Sequence, residues 1–224
     1  MINFKEKDFY KLDKFIKDLN LNLNLITFLE DDDLGEYLKD SFWHHLDRVM
    51  KKWKTKVKIE WGYTKLVLIP DCFPFVIKIP MPSRQDGAIE EDYLKDEEVF
   101  FSEMDKRGFA SFFTETVYYC NYKGLKYYLQ EKVTKLAADA LGETSHSSIE
   151  SLNYADKNHS VFDREWIATA YDIYGEKAIS SFIEFLKENR HYLDGVDRMC
   201  NDMHCYNYGY INDYPVIFDY SGCE

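Results

Sequence analysis

The sequence predicts an α+β fold, and three observations predict it. Two blocks of alternating β-branched and aromatic residues, 57–80 and 114–133, read as strands broken by turns. A charged stretch with helical spacing, about 88–106, lies between them. Helical periodicity also fills both flanks, at 6–19, 33–52 and from Asp163 to about residue 193.

Each element has its own signal. Phe9, Leu12, Phe15, Ile16 and Leu19 form one helical stripe. The alternating L-N-L-N-L-I-T-F-L at 21–29 reads as a short strand or an extended loop. Asp31, Asp32 and Asp33 place negative charge at the start of a second helix, about 33–52, where the helix dipole favours it. Leu34, Leu38, Phe42, Leu46 and Met50 line its apolar side, and it runs into Arg48, Lys51, Lys52, Lys54, Lys56 and Lys58. That basic run is either a solvated helix end or a docking site for an acidic partner.

From Val57 the period changes. Val57, Ile59 and Trp61 alternate, G-Y-T-K turns the chain, and Leu66–Pro70 and Phe75–Pro80 follow as the next strands of an antiparallel meander. Lys78 lies between Ile77 and Ile79, so it projects from the face opposite theirs and requires solvent or an anion there. In the charged helix that comes next, Gly108 is the stop signal. Glu97 shares a side with Phe100, Phe101 and Met104, and Glu98 with Phe101 alone. Strands at 114–121 and 125–133 flank Tyr122-Lys123-Gly124, and residues 136–141 read as a short helix. The helix that opens at Asp163 breaks at Gly175, and the one that follows carries Ile179, Phe182, Ile183, Phe185 and Leu186.

Composition bounds the function. The 224 residues are 46% hydrophobic and 17% aromatic, enough for one domain or two lobes around a cleft. A net charge of −12 speaks against nucleic-acid binding, which needs a basic face. It leaves room for a nucleotide, whose phosphates a few placed lysines and Mg²⁺ can offset. No apolar run reaches about 18 residues and the start lacks an apolar signal core, so neither membrane partner nor export is expected. Five cysteines (Cys72, Cys120, Cys200, Cys205, Cys223) without framework spacing suit a reducing, cytoplasmic setting, and Cys200, His204 and Cys205 lack a second ligand pair for zinc.

The chemistry concentrates near the C-terminus. C-N-D-M-H-C-Y-N-Y-G-Y begins at Cys200, and V-I-F-D-Y-S-G begins at Val216. Asp202, Asn207 and Asp219 are thereby spaced by five and then twelve residues, with a buried strand before the last. This resembles the catalytic loop and metal-binding strand of the protein-kinase-like fold, nearest its aminoglycoside and choline kinase branch, where the loop often reads N-D-L-H-P-x-N. V-I-K-I-P, ending at Pro80, is similar to the lysine strand of that fold, and Y-Y-L-Q-E-K-V, ending at Val133, to its hinge.

The resemblance implies a two-lobed fold: an N-terminal helical extension over 1–55, a five-stranded antiparallel small lobe with one helix over 56–133, and a reduced helical large lobe over 134–224 that stops soon after Asp219. It implies an ATP- and Mg²⁺-dependent phosphotransferase. Asp202 would orient the acceptor hydroxyl, and Asn207 and Asp219 would hold the metal. Lys78 would meet the phosphates, with Glu97 or Glu98 as its partner. Gly62 and Thr64 would stand in the phosphate-covering loop, which has one glycine where the family has three, and Glu131 and Val133 would bracket the adenine. The alternative is a catalytically silent kinase-like module that binds a protein partner.

Overall fold

The computed structural model describes residues 6–22, 26, 35–61, 64–81, 92–135, 164–189, 192 and 207–220. The fold is α+β, with a five-stranded antiparallel sheet. It divides into two compact units, 1–95 with 116–132, and 96–115 with 133–224.

The first unit is built on that sheet. Its strands are β1 (Val57–Trp61), β2 (Lys65–Pro70), β3 (Phe75–Pro80), β4 (Thr116–Tyr122) and β5 (Leu125–Glu131), in the order β1-β2-β3-β5-β4. The expected meander is β1-β2-β3. Strand β5 ends at Glu131, short of the expected Val133: one step past the Phe75–Glu131 pair the Lys132 amide still donates to the Pro74 carbonyl, but proline has no N–H to return the bond. Leu66, Leu68, Phe75, Ile77, Ile79, Leu125, Tyr127 and Leu129 point to one face. There they join Leu12, Phe15, Ile16 and Leu19 of α1 (Glu6–Leu19) and Phe42, Leu46 and Val49 of α2 (Gly35–Trp53) in one core. The two helices are latched through Asp18, which accepts from Lys52 Nζ at 2.7 Å and Trp53 Nε1 at 2.9 Å. Lys51 pairs with Asp47 and Lys58 with Glu60, so much of the basic run after α2 is neutralised within the unit. Leu21 and Asn22 lie outside any strand, and most of the 21–29 stretch lies outside the described residues.

Helix α3 (Tyr93–Lys106) starts later than the spacing predicts. Asp92 stops it from extending back: its carboxylate accepts from the Lys95 amide at 3.2 Å, an N-cap bond that ends the helix there. Residues 88–91 lie outside the described residues. Gly108, at φ +81, closes the other end as expected.

The second unit packs Phe100 and Met104 of α3 against Phe112 and Phe113, Trp166 and Ala170 of α4 (Arg164–Tyr174), and Ile179, Phe182, Phe185 and Leu186 of α5 (Glu176–Asn189). Gly175 separates the two helices, as its position predicts. The described part of α5 ends at Asn189, and the predicted 136–141 helix falls outside the described residues. A three-stranded antiparallel sheet completes the unit, in the order β6 (Thr134–Lys135), β7 (Tyr208–Ile211), β8 (Tyr214–Ile217). Among the described residues no helix is long and apolar enough to cross a membrane.

Candidate functional site

The β7–β8 hairpin carries the C-terminal motif. Asn212 and Asp213 form its two-residue loop, both at positive φ (49° and 69°), and the Ile211–Tyr214 pair closes it. Residues that tolerate the left-handed region are what such a tight loop needs. Pairing runs from that loop to Tyr208 opposite Ile217. One step further, the Phe218 amide donates to the Asn207 carbonyl at 3.0 Å. The hairpin thus returns the chain to where it began, and Asp219 emerges beside Asn207. The two residues, twelve apart in sequence, share the open end of the ladder.

That end is anchored. Asn207 is buried, and Asp219 is half-buried between two buried aromatics, Phe218 and Tyr220. Tyr220 OH donates to the Thr114 carbonyl at 2.8 Å, and the Thr114 amide donates to the Ile217 carbonyl at 3.0 Å. The Tyr220 ring packs on Phe100 and Phe113. Trp166 Nε1 donates to the Gly209 carbonyl at 3.1 Å and stacks on Tyr208. Tyr174 OH lies 2.8 Å from the Pro215 carbonyl and 2.7 Å from that of Ser111. Burial, with the neighbouring Tyr214, pushes this phenol up to about 12.

Gly209 was not singled out by sequence reasoning, yet β6 could not pair without it. A Cβ there would collide with Val133 Cγ1 and the Thr134 carbonyl. A lone glycine inside a strand pattern is the signal for such a close backbone approach.

The other expected residues are distributed as follows. Lys78 sits mid-strand in β3, 3% exposed, opposite Val67 on β2 and Tyr128 on β5. Its side chain leaves the face opposite Ile77 and Ile79, as strand alternation predicts. It belongs to the first unit, whereas Glu97, Asn207 and Asp219 belong to the second. Glu97 is fully buried on α3 and Glu98 is half-buried. Thr64 is half-buried just before β2, and its carbonyl accepts from the Met81 amide at 2.8 Å. Glu131 ends β5 and Val133 precedes β6, both half-buried. Gly62 and Asp202 lie outside the described residues, as do Cys200, His204 and Cys205.

Two oxygen donors, one amide and one carboxylate, suit a hard cation that keeps most of its waters. Among the described residues no group of three or more His, Cys, Asp or Glu gathers as a metal cage.

Comparison of the chain with known protein families, curated proteins and solved structures finds no match.

Proposed function

We propose that this protein is a phosphotransferase of the protein-kinase-like type that uses ATP with Mg²⁺. The observation that carries the reading is the hairpin-end pairing, in which the Phe218 amide bonds to the Asn207 carbonyl and brings Asp219 beside Asn207. On this reading Asn207 and Asp219 would hold Mg²⁺, whose charge would offset that of the phosphates. Lys78 binds the nucleotide's phosphates, and Glu97 or Glu98 positions it; the burial of Glu97 favours Glu97. Gly62 and Thr64 border the phosphates, and Glu131 and Val133 present backbone groups to the adenine.

Asp202 orients the acceptor hydroxyl and receives its proton. The bond between the γ-phosphorus and its bridging oxygen breaks, a bond from phosphorus to the acceptor oxygen forms, and ADP leaves. The chain's part in this is positioning and charge neutralisation, the main demands of phosphoryl transfer.

Thermal melting with and without Mg²⁺-ATP tests the reading. A ligand at 100 times its Kd stabilises by about 2.7 kcal/mol, so a clear rise in Tm is expected. Asp219→Asn should abolish the Mg²⁺-dependent part of that rise, because it removes the carboxylate charge and leaves the fold's aromatic anchors in place. An unchanged rise would refute the metal assignment. No rise at millimolar nucleotide would favour a silent module that acts through a protein partner.

A further inference from the structure

The basic run after α2 is only partly answered by acids. Lys51 pairs with Asp47, Lys52 with Asp18 and Lys58 with Glu60. Lys54 and Lys56 are exposed, and among the described residues neither ammonium group pairs with a carboxylate. Both line one open cleft of about 680 Å³ in the first unit. Lys51 lines it too, with the half-buried Met50 and Cys72 as apolar walls. Among the described residues the one acid lining it is Asp71. Positive charge is therefore concentrated at this cleft in a chain whose net charge is −12.

The wall opposite α2 is the β2–β3 turn, and it is held in shape. The Asp71 amide donates to the Lys56 carbonyl at 2.9 Å. Lys132 Nζ donates to the Pro70 carbonyl at 2.6 Å, and Lys11 Nζ to the Cys72 carbonyl at 3.0 Å. Carbonyls are neutral acceptors, so these two ammonium groups fix the turn and keep their charge. A wall formed in advance lowers the ordering cost of binding.

Lys54 carries a second signal. It follows the last residue of α2 at φ +48. Its amide donates to the Lys51 carbonyl at 3.3 Å, and the Thr55 amide to the Met50 carbonyl at 3.1 Å. Glycine is the residue that such a helix stop favours. A lysine is strained there, and what it adds over glycine is an ammonium group lining the cleft.

The walls narrow the kind of occupant. The lysines attract carboxylates, and Met50 and Cys72 accept an apolar side chain between them. A bare inorganic anion would leave those apolar walls wet. A nucleic-acid duplex or an anionic bilayer would extend past the cleft over a chain of net negative charge. A short peptide segment meets the cleft alone.

We propose that this cleft is a docking site for a short acidic segment of a protein partner, with carboxylates on Lys54 and Lys56 and an apolar side chain against Met50 and Cys72. None of these residues is assigned to ATP or Mg²⁺, so the proposal is independent of the phosphotransferase reading.

Fluorescence anisotropy of the full chain tests it, with labelled peptides Glu-Asp-X-Glu-Asp in which X is Leu, Phe or Ser. The Leu or Phe peptide should bind below millimolar concentration, more tightly than the Ser peptide, and should weaken as salt rises from about 50 to about 300 mM. Lys54→Gly should weaken binding by roughly three- to tenfold while Tm holds or rises, because the strain is relieved. Adding Lys56→Gln should bring the loss to about tenfold or more. Parent-like affinity in the double variant would overturn the proposal. So would failure of all three peptides to bind at millimolar concentration. Tighter binding of a DNA duplex or of phosphatidylserine vesicles than of any peptide would assign the cleft to those partners instead, and would overturn it as well.

Discussion

The two faces of the five-stranded sheet are made from the same strands and do opposite work. One face is apolar except for Glu131 at the end of β5, and it is shut under α1 and α2, where Phe15 meets Trp53 and Phe73 edge-on at 5.1 and 5.3 Å. The other carries Lys58, Glu60, Lys65, Lys78, Lys126 and Gln130, with Tyr128 bonded to Asp92. A residue-by-residue alternation separates apolar from polar side chains across the thickness of a single sheet. Polar groups on the second face are expensive to bury, so they persist only where something answers their charge.

The widest gap between the faces should appear on truncation. Phe15→Ala removes a fully buried ring from the apolar side and should cost about 3–5 kcal/mol in chemical denaturation. Val67→Ala, at a half-buried position on the polar side, should cost less than about 1.5 kcal/mol. Equal losses would mean that both faces are packed as core and that the division is wrong.

A smaller contrast sits in two adjacent tyrosines. Tyr128 points to the polar face and donates its hydroxyl to Asp92 at 2.7 Å. Tyr127 points to the apolar face and is fully buried, and among the described residues its hydroxyl has no hydrogen-bond partner. Burial raises the Tyr127 phenol well above its ordinary value, which keeps it neutral. Tyr128→Phe strands a carboxylate contact and should cost about 1.5–3 kcal/mol. Tyr127→Phe removes an unsatisfied buried hydroxyl and should stabilise by about 1 kcal/mol. Opposite signs from neighbouring positions, read by urea midpoints, would sharpen the comparison. A loss at Tyr127 would show that its hydroxyl has a partner after all.

Much of this was legible in the chain. Period-two alternation gave the strands and their faces, including the face of Lys78, because side-chain direction in a strand is fixed by position alone. The helical stripes of α1, α2, α4 and α5 were equally plain. The buried strand expected before Asp219 is β8, the second strand of the hairpin. What stayed hidden depended on partners remote in sequence. Strand β6 is two residues long and is defined only by pairing with Gly209 and Tyr210. The start of α3 was misplaced because Asp92 looks like one more acid in an acidic helix until its carboxylate is seen to cap the Lys95 amide. Lys65 reads as the last residue of the G-Y-T-K turn, whereas it opens β2, opposite Pro80 of β3.

The finest test concerns the latch that holds the apolar face shut. Asp18 joins α1 to α2 through Lys52 and Trp53. The hydrogen bond from Lys52 lowers the Asp18 carboxyl from its ordinary 3.8, burial opposes the shift, and the Trp53 bond and the lysine charges add to it. A carboxylate depressed in the folded state contributes stability above its unfolded pKa and loses it as pH falls through the folded value. Asp18→Asn keeps an acceptor for Trp53 and removes the charge. At pH 7 it should therefore be less stable than the parent by under about 1 kcal/mol, the usual worth of a surface ion pair. That difference should shrink as pH drops below 3.8 and both side chains become neutral. A gap that persists in acid would assign the latch to hydrogen bonding and packing, and would leave charge as a property of the polar face alone.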